Sequence, residues 1–258
     1  MAQIICIANQ KGGVGKTTTA INLSAALAVM NKRTLVVDCD PQANATTGMG
    51  LDKNTLEKTL YHGLIGEAVA KELVIDTDID KLKIIPSRVE LIGFEVEMMS
   101  KPERERILLS FLESVRDDYD YIIIDCPPSL SLLTLNAMTA ADSVLIPLQS
   151  EFYALEGLSQ LLETVKRIKV SINPDLKIAG ILLTMFDKRT NLSFQVAEEA
   201  EKYFSDQVFK TKIPRNIRLG EAPSFGKPIF VYDPASKGAK SYKDLAKELV
   251  ERFASKHI

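Results

Sequence analysis

The sequence predicts an α/β protein built on a doubly wound, mostly parallel sheet with helices on both faces. Three observations carry that expectation. Short apolar runs alternate with longer helical patterns from end to end. Some runs, such as Ile122-Ile123-Ile124, are apolar at every position, which suits strands covered on both faces. Glycines and acids then gather just after the runs (Gly12 to Thr17, Asp38 and Asp40, Asp125). That is the carboxyl edge of the strands, where sheets of this kind bind ligands.

In chain order, the short apolar runs predict strands at Ile4–Ala8, Thr34–Val37, Lys83–Ile85, Tyr121–Ile124, Val144–Leu148, Ala179–Met185 and Val208–Ile213. The longer segments between and after them predict helices over Thr17–Met30, Pro102–Val115, Leu130–Ala140, Leu155–Val170, Leu192–Phe204 and Tyr242–Phe253. Residues 57–80, with scattered glycines and acids, have the least defined pattern. No internal repeat, low-complexity tract or linker interrupts the 258 residues, so one domain spanning 1–258 is expected.

Composition bounds the class. Apolar residues make up 46% and charged residues 26%, ordinary for a globular protein. No run of about 18 apolar residues predicts a membrane-spanning helix. Polar Asn9, Gln10 and Lys11 cut short the first apolar run, unlike a secretory signal. Cys6, Cys39 and Cys126 stand singly within or beside apolar runs, without CxxC spacing, and read as core residues in a reducing cytoplasm. The net charge of −2 hides an asymmetry: residues 207–258 carry eleven Lys and Arg against five Asp and Glu. An acidic body with a basic last fifth is a pattern that suits a polyanion.

The loop Lys11-Gly12-Gly13-Val14-Gly15-Lys16-Thr17-Thr18 lies between the first strand and the first helix. Glycines there let backbone N–H groups converge on one centre, and the helix N-terminus adds its positive end. A lysine at that place reaches β and γ phosphates, and the following hydroxyl ligates Mg²⁺, roles that fall to Lys16 and Thr17. The pattern G-x-x-x-x-G-K-[ST] is not met, because Gln10 stands where its first glycine belongs. An added Lys11 precedes Gly12 and Gly13 instead. Two lysines on so short a loop would repel unless a polyphosphate lay between them.

With that added lysine the loop resembles the deviant Walker A family (ParA, MinD, the nitrogenase iron protein and relatives), whose motif reads K-G-G-x-G-K-[ST]. The resemblance implies that Lys11 crosses a dimer interface to the partner's ATP while Lys16 acts in cis. Asp38-Cys39-Asp40-Pro41-Gln42 resembles the family's D-x-D-P-Q motif. By that likeness Asp40 positions the attacking water and Asp38 belongs to the outer shell of the metal. Ile124-Asp125-Cys126-Pro127-Pro128 is a strand ending in an acid, the Walker B arrangement, so Asp125 is expected to meet Mg²⁺ through water. The family's base-contacting segments resemble Thr184 to Asp187 and Ile213 to Asn216, which makes Pro214 and Asn216 candidate adenine contacts.

Three outputs compete. Met185 to Thr190 and Pro214 to Ser224 resemble the ParA-type (Soj-like) chromosome partition proteins, and that likeness runs nearly the whole length. It implies an ATP-bound homodimer on non-specific double-stranded DNA, reset by a centromere-binding ParB-like partner and associated with the nucleoid when ATP-bound. Intrinsic turnover should then be slow. Arg189 and Arg218 become candidate phosphate contacts, with Lys227, Lys237, Lys240 and Lys243 beside them. No helix-turn-helix pattern precedes the first strand, so operator binding is not expected. A MinD-like regulator of division placement would instead need a basic amphipathic foot for lipid. The last helix places Tyr242, Leu245, Ala246, Leu249, Val250 and Phe253 at core spacing with acids interleaved, so stable membrane association is not expected. An electron-transfer ATPase would need a cysteine-held cluster, which the three cysteines do not provide.

Overall fold

The computed structural model describes residues 1–151 and 154–254. Seven strands form one sheet in the order β3-β4-β2-β5-β1-β6-β7. They are β1 (Gln3–Ile7), β2 (Thr34–Asp38), β3 (Ile75–Asp76), β4 (Leu82–Ile85), β5 (Tyr121–Asp125), β6 (Ser143–Gln149) and β7 (Lys177–Thr184). Every neighbouring pair is parallel except β3 with β4. The helices are α1 (Lys16–Val29), α2 (Asn44–Gly48), α3 (Leu60–Leu64), α4 (Ala70–Leu73), α5 (Ile92–Glu97), α6 (Ile107–Glu113), α7 (Leu132–Ala140), α8 (Ala154–Ser171), α9 (Asn191–Phe204), α10 (Ile217–Glu221), α11 (Ile229–Tyr232) and α12 (Lys237–Ala254). The doubly wound, mostly parallel sheet is the architecture the sequence predicts.

Alternation along each strand buries apolar side chains on both faces of the sheet. Ile4 and Cys6 of β1, Val37 of β2 and Ile122 of β5 join Leu133 and Ala137 of α7 and Leu158 and Leu161 of α8 on one face. Ile5 and Ile7 point the other way, with Ile123, against Leu23 and Leu27 of α1 and Tyr242, Leu245 and Leu249 of α12. Each such side chain taken fully out of water stabilises the fold by about 1.5–3 kcal/mol. The stripe on α12 is therefore spent on the core, with Leu245 and Leu249 fully buried. Cys6, Cys39 and Cys126 are likewise free and buried. No helix among the described residues is long and apolar enough to cross a membrane.

The chain's path creates the site. From β1 it runs outward to β2 and β4, returns to β5 between β2 and β1, then leaves through β6 and β7. The reversal sets the ends of β1, β2 and β5 side by side, with Asp38 in register with Asp125 and Asp125 with Ile7.

Two expected elements need correction. Residues 208–213 do not form a strand: parallel bridges occur only at Ile181–Val208 and Phe186–Pro214. Phe209 and Ile213 donate backbone hydrogen bonds to Ile181 and Leu183 on β7. Between them, the N–H groups of Lys210 and Thr211 turn away to the Glu248 carboxylate on α12, at 2.8 and 2.9 Å. A Cβ on Gly180 would come within 2.4 Å of the Phe209 ring, so β7 needs glycine there for this segment to lie alongside. The helix expected over 102–115 is shorter, because Glu103 adopts φ 52° and Arg104–Arg106 is a 3-10 turn. Asn136 of α7 holds that junction, accepting from the Leu108 N–H and donating to the Arg104 carbonyl. Residues 57–80, poorly defined in the sequence, contain α3, α4 and the edge strand β3. The last helix begins at Lys237, five residues earlier than its apolar stripe.

Candidate nucleotide site

The loop from β1 to α1 is clamped at several points. Asn9 donates from Nδ2 to the Pro147 carbonyl on β6 (2.7 Å) and accepts the Lys11 N–H on Oδ1 (3.0 Å). The Thr184 hydroxyl on β7 donates to the Val14 carbonyl at 2.8 Å. Gly15 sits at the helix N-cap with φ 90°, a left-handed conformation that disfavours other residues. No side chain caps the first turn of α1, so its N–H groups are left for a ligand. Lys16 is 6% exposed, and its Nζ donates to the Lys11 carbonyl at 3.0 Å. Burial draws its pKa down, against opposing charges led by Asp125.

The two lysines of the loop diverge. Lys16 turns into the cradle, whereas the Lys11 ammonium is ion-paired with Glu151, just beyond the carboxyl end of β6. The expected repulsion between the two is thus relieved by a protein carboxylate as well as being open to relief by a polyphosphate.

The three acids occupy different environments. Asp38 is fully buried: Oδ1 accepts from the Asp40 N–H (3.1 Å), and Oδ2 accepts from both the N–H and hydroxyl of Thr46 (2.8 and 2.7 Å). Burial pushes its pKa up to about 6, against the pull of the Thr46 hydrogen bonds. Asp40 caps a turn, accepting the Gln42 N–H at 2.9 Å, and also lines the cavity. Asp125 is buried with neither oxygen in a hydrogen bond of normal geometry. Burial, then the charge of Asp38, pushes its pKa well up, although the nearby Thr17 hydroxyl favours its ionised form. A buried, unsatisfied carboxylate beside a hydroxyl and Lys16 is a donor set that fits a magnesium ion.

A cavity of about 480 Å³ opens over the loop. Gly12, Gly13, Gly15, Lys16, Thr17 and Thr18 form one wall, and Met185, Ile213, Pro214, Arg215 and Asn216 the other. Val14 is buried beneath. The Asn216 Oδ1 already accepts the Arg218 N–H at 2.8 Å as the N-cap of α10, which leaves its Nδ2 to donate. Phosphate and base candidates separated by about 200 residues in sequence therefore share one cleft.

The basic candidates stand in the loops that follow. Arg189 lies in the turn after β7, bound through Nε and Nη2 to Asp187 at 2.9 and 2.7 Å. Arg218 on α10 pairs with Glu221 (3.0 Å) and Asp233 (3.5 Å). The Phe186–Pro214 bridge brings the two loops together at the sheet's edge. Lys227 is exposed in the segment between α10 and α11. Sequence reasoning missed Asn9, Thr46, Glu151 and Tyr242, which clamp or line the site. Of these, only Asn9, two residues before the loop, carried a positional signal.

Fold, cleft and loop together define a P-loop nucleotide-binding protein. A family model described as an AAA domain matches residues 2–178. The chain is 57% identical over 249 residues to the sporulation initiation inhibitor protein Soj of Bacillus subtilis, covering 96% of this chain and 98% of that one. It is 55% identical to the chromosome partitioning protein ParA of Myxococcus xanthus, covering 99% and 90% respectively. Among solved structures, cobyrinic acid a,c-diamide synthase of Mycobacterium smegmatis with bound ADP and magnesium aligns with a TM-score of 0.87 at 35% identity, covering 99% of this chain and 96% of that one. The chain belongs to the ParA/Soj family of chromosome-partitioning P-loop ATPases.

Proposed function

We propose that this chain is an ATP-switched DNA-partitioning ATPase that closes into a homodimer around two nucleotides. The observation carrying the reading is the divergence of the loop lysines: Lys16 is turned into the cradle, while Lys11 leaves it and is half exposed. A lysine on the rim can serve a second nucleotide, which a monomeric site has no use for.

In this reading ATP binds over Gly12 to Thr18 with its base between Pro214 and Asn216. Thr17 would hold Mg²⁺ directly and Asp125 through water, and the ion would supply charge neutralisation at the phosphates. Asp40 lines the cavity and orients the attacking water. Asp38, with both oxygens engaged, supports the metal site by fixing the loop that carries Asp40. Each partner's Lys11 then reaches the other's phosphates.

The closed pair doubles a positive surface on which Arg189, Arg218 and Lys227 contact the backbone of double-stranded DNA without sequence preference. Hydrolysis is slow until a ParB-like centromere-binding partner stimulates it, and it reopens the dimer and releases DNA. The ATP-bound protein works in the cytoplasm on the nucleoid. A MinD-like membrane role fits less well, because the apolar stripe of α12 is buried against α1.

The test is size exclusion and DNA binding of the Asp40→Ala protein with ATP and with ADP. The expected result is a stable dimer on DNA with ATP alone. A protein that stays monomeric with ATP, or that binds liposomes in place of DNA, would overturn the reading.

A further inference from the structure

The Lys11–Glu151 pair joins the start of the phosphate loop to a residue two positions past the end of β6. Both side chains are about half exposed, at 50% and 45%, and Glu151 also accepts from Gln149 Nε2 through its other oxygen. The backbone beneath them is held: Asn9 fastens the same loop to Pro147 of β6, and the Lys11 carbonyl is occupied by Lys16 Nζ. The Lys11 backbone is therefore held while its long side chain reaches outward, and its charge already has a partner in its own chain.

We propose that Glu151 is a positioning residue that holds Lys11 in a parked rotamer, and that the dimer closes by exchanging this carboxylate for the partner nucleotide's phosphate oxygens. The proposal rests on the reading that Lys11 acts across a dimer. Its physical content is competition for one ammonium. Lys11 cannot extend to a second protomer while it is paired in cis, so every closure breaks two such pairs. Parking also keeps the Lys11 charge off Lys16 before nucleotide arrives, which lets one loop carry both cations. An exposed pair of this kind stabilises its bound form by about two- to fivefold. Two pairs per dimer then raise the dissociation constant about four- to twenty-fivefold. The pair also weakens with salt, because charges this exposed are screened.

The experiment is sedimentation velocity of the full chain with ATP and Mg²⁺ in an Asp40→Ala background, comparing Glu151, Glu151→Gln and Glu151→Asp. Glu151→Gln keeps the shape and removes the charge. It should dimerise at about four- to twenty-fivefold lower protein concentration, with the gap closing as salt rises from low to high. Glu151→Asp, shorter by one methylene, should fall between the two, and melting temperatures of all three should agree. Equal or weaker dimerisation of Glu151→Gln, beside normal dimerisation of the parent, would overturn the parking role alone. A parent that does not dimerise, or a Lys11→Ala protein that dimerises as well as the parent, would remove the trans-lysine reading and this inference with it.

Discussion

Thr46 closes on a single oxygen of Asp38 from two directions, its N–H at 2.8 Å and its hydroxyl at 2.7 Å. The same hydroxyl accepts the Ser87 N–H at 2.9 Å, so one buried side chain ties the end of β2 to α2 and to the exit of β4. Thr46→Val keeps the shape but leaves the Ser87 N–H unpaired and Asp38 short of a donor. The expected cost is about 2–4 kcal/mol of unfolding free energy, read by urea titration. Hydrolysis should fall as well, because Asp40 hangs on the other oxygen of Asp38. A variant as stable as the parent would show that the network does not hold the loop.

Lys16 is the buried cation of the phosphate loop. Lys16→Ala should weaken ATP binding by about 2–5 kcal/mol, the range for truncating one partner of a buried charged contact, while leaving the fold intact. Isothermal titration calorimetry reads this directly. Normal nucleotide affinity in that variant would sink the site assignment.

Arg189 and Arg218 are each held by acids of their own loops, Asp187 for the first and Glu221 with Asp233 for the second. Arg189→Ala and Arg218→Ala should each lose DNA binding while retaining ATP-dependent dimerisation. Each lost phosphate contact should also flatten the dependence of log affinity on log salt by about 0.9. If both variants shift DNA normally at low salt, the DNA surface lies elsewhere.

Glu248 contributes a pH dependence. Burial works to raise its pKa, but the N–H groups of Thr211 and Lys210, with Arg252, win and hold it below the usual glutamate value. A group depressed in the folded state stabilises the fold above its unfolded pKa of about 4.3, and that contribution is lost as pH falls through its lower folded value. Thermal melts between about pH 3 and pH 6 should therefore show a slope that Glu248→Gln flattens. An unchanged slope would mean that other carboxylates carry the acid sensitivity.

Much of this molecule is legible in its amino-acid sequence. Runs such as Ile122–Ile124 are apolar on both faces, and a chain with such runs between helical segments has few ways to bury them other than a covered parallel sheet. Glycines with Lys16 and Thr17 directly after the first run marked the phosphate cradle, because a turn that aims N–H groups at one point constrains adjacent residues. Local chemistry of that kind is written in order along the chain.

The sheet, its carboxyl edge and the identity of the loop at its centre are thus written in the order of residues along the chain. Tertiary structure decided what those groups are bound to. Only the folded chain shows that residues 208–213 lie along β7 without forming a strand, since Glu248 on a distant helix takes the N–H groups of Lys210 and Thr211. Only it brings Pro214 and Asn216 over the loop. Asp38 and Asp125 look alike as acids at strand ends, yet one is satisfied by Thr46 and the other, with the Thr17 hydroxyl nearby, has no hydrogen bond of normal geometry. The partner of Lys11 lies 140 residues away and carries no motif. Pairings between remote residues depend on how strands are ordered in space, and periodicity along a chain does not encode that order.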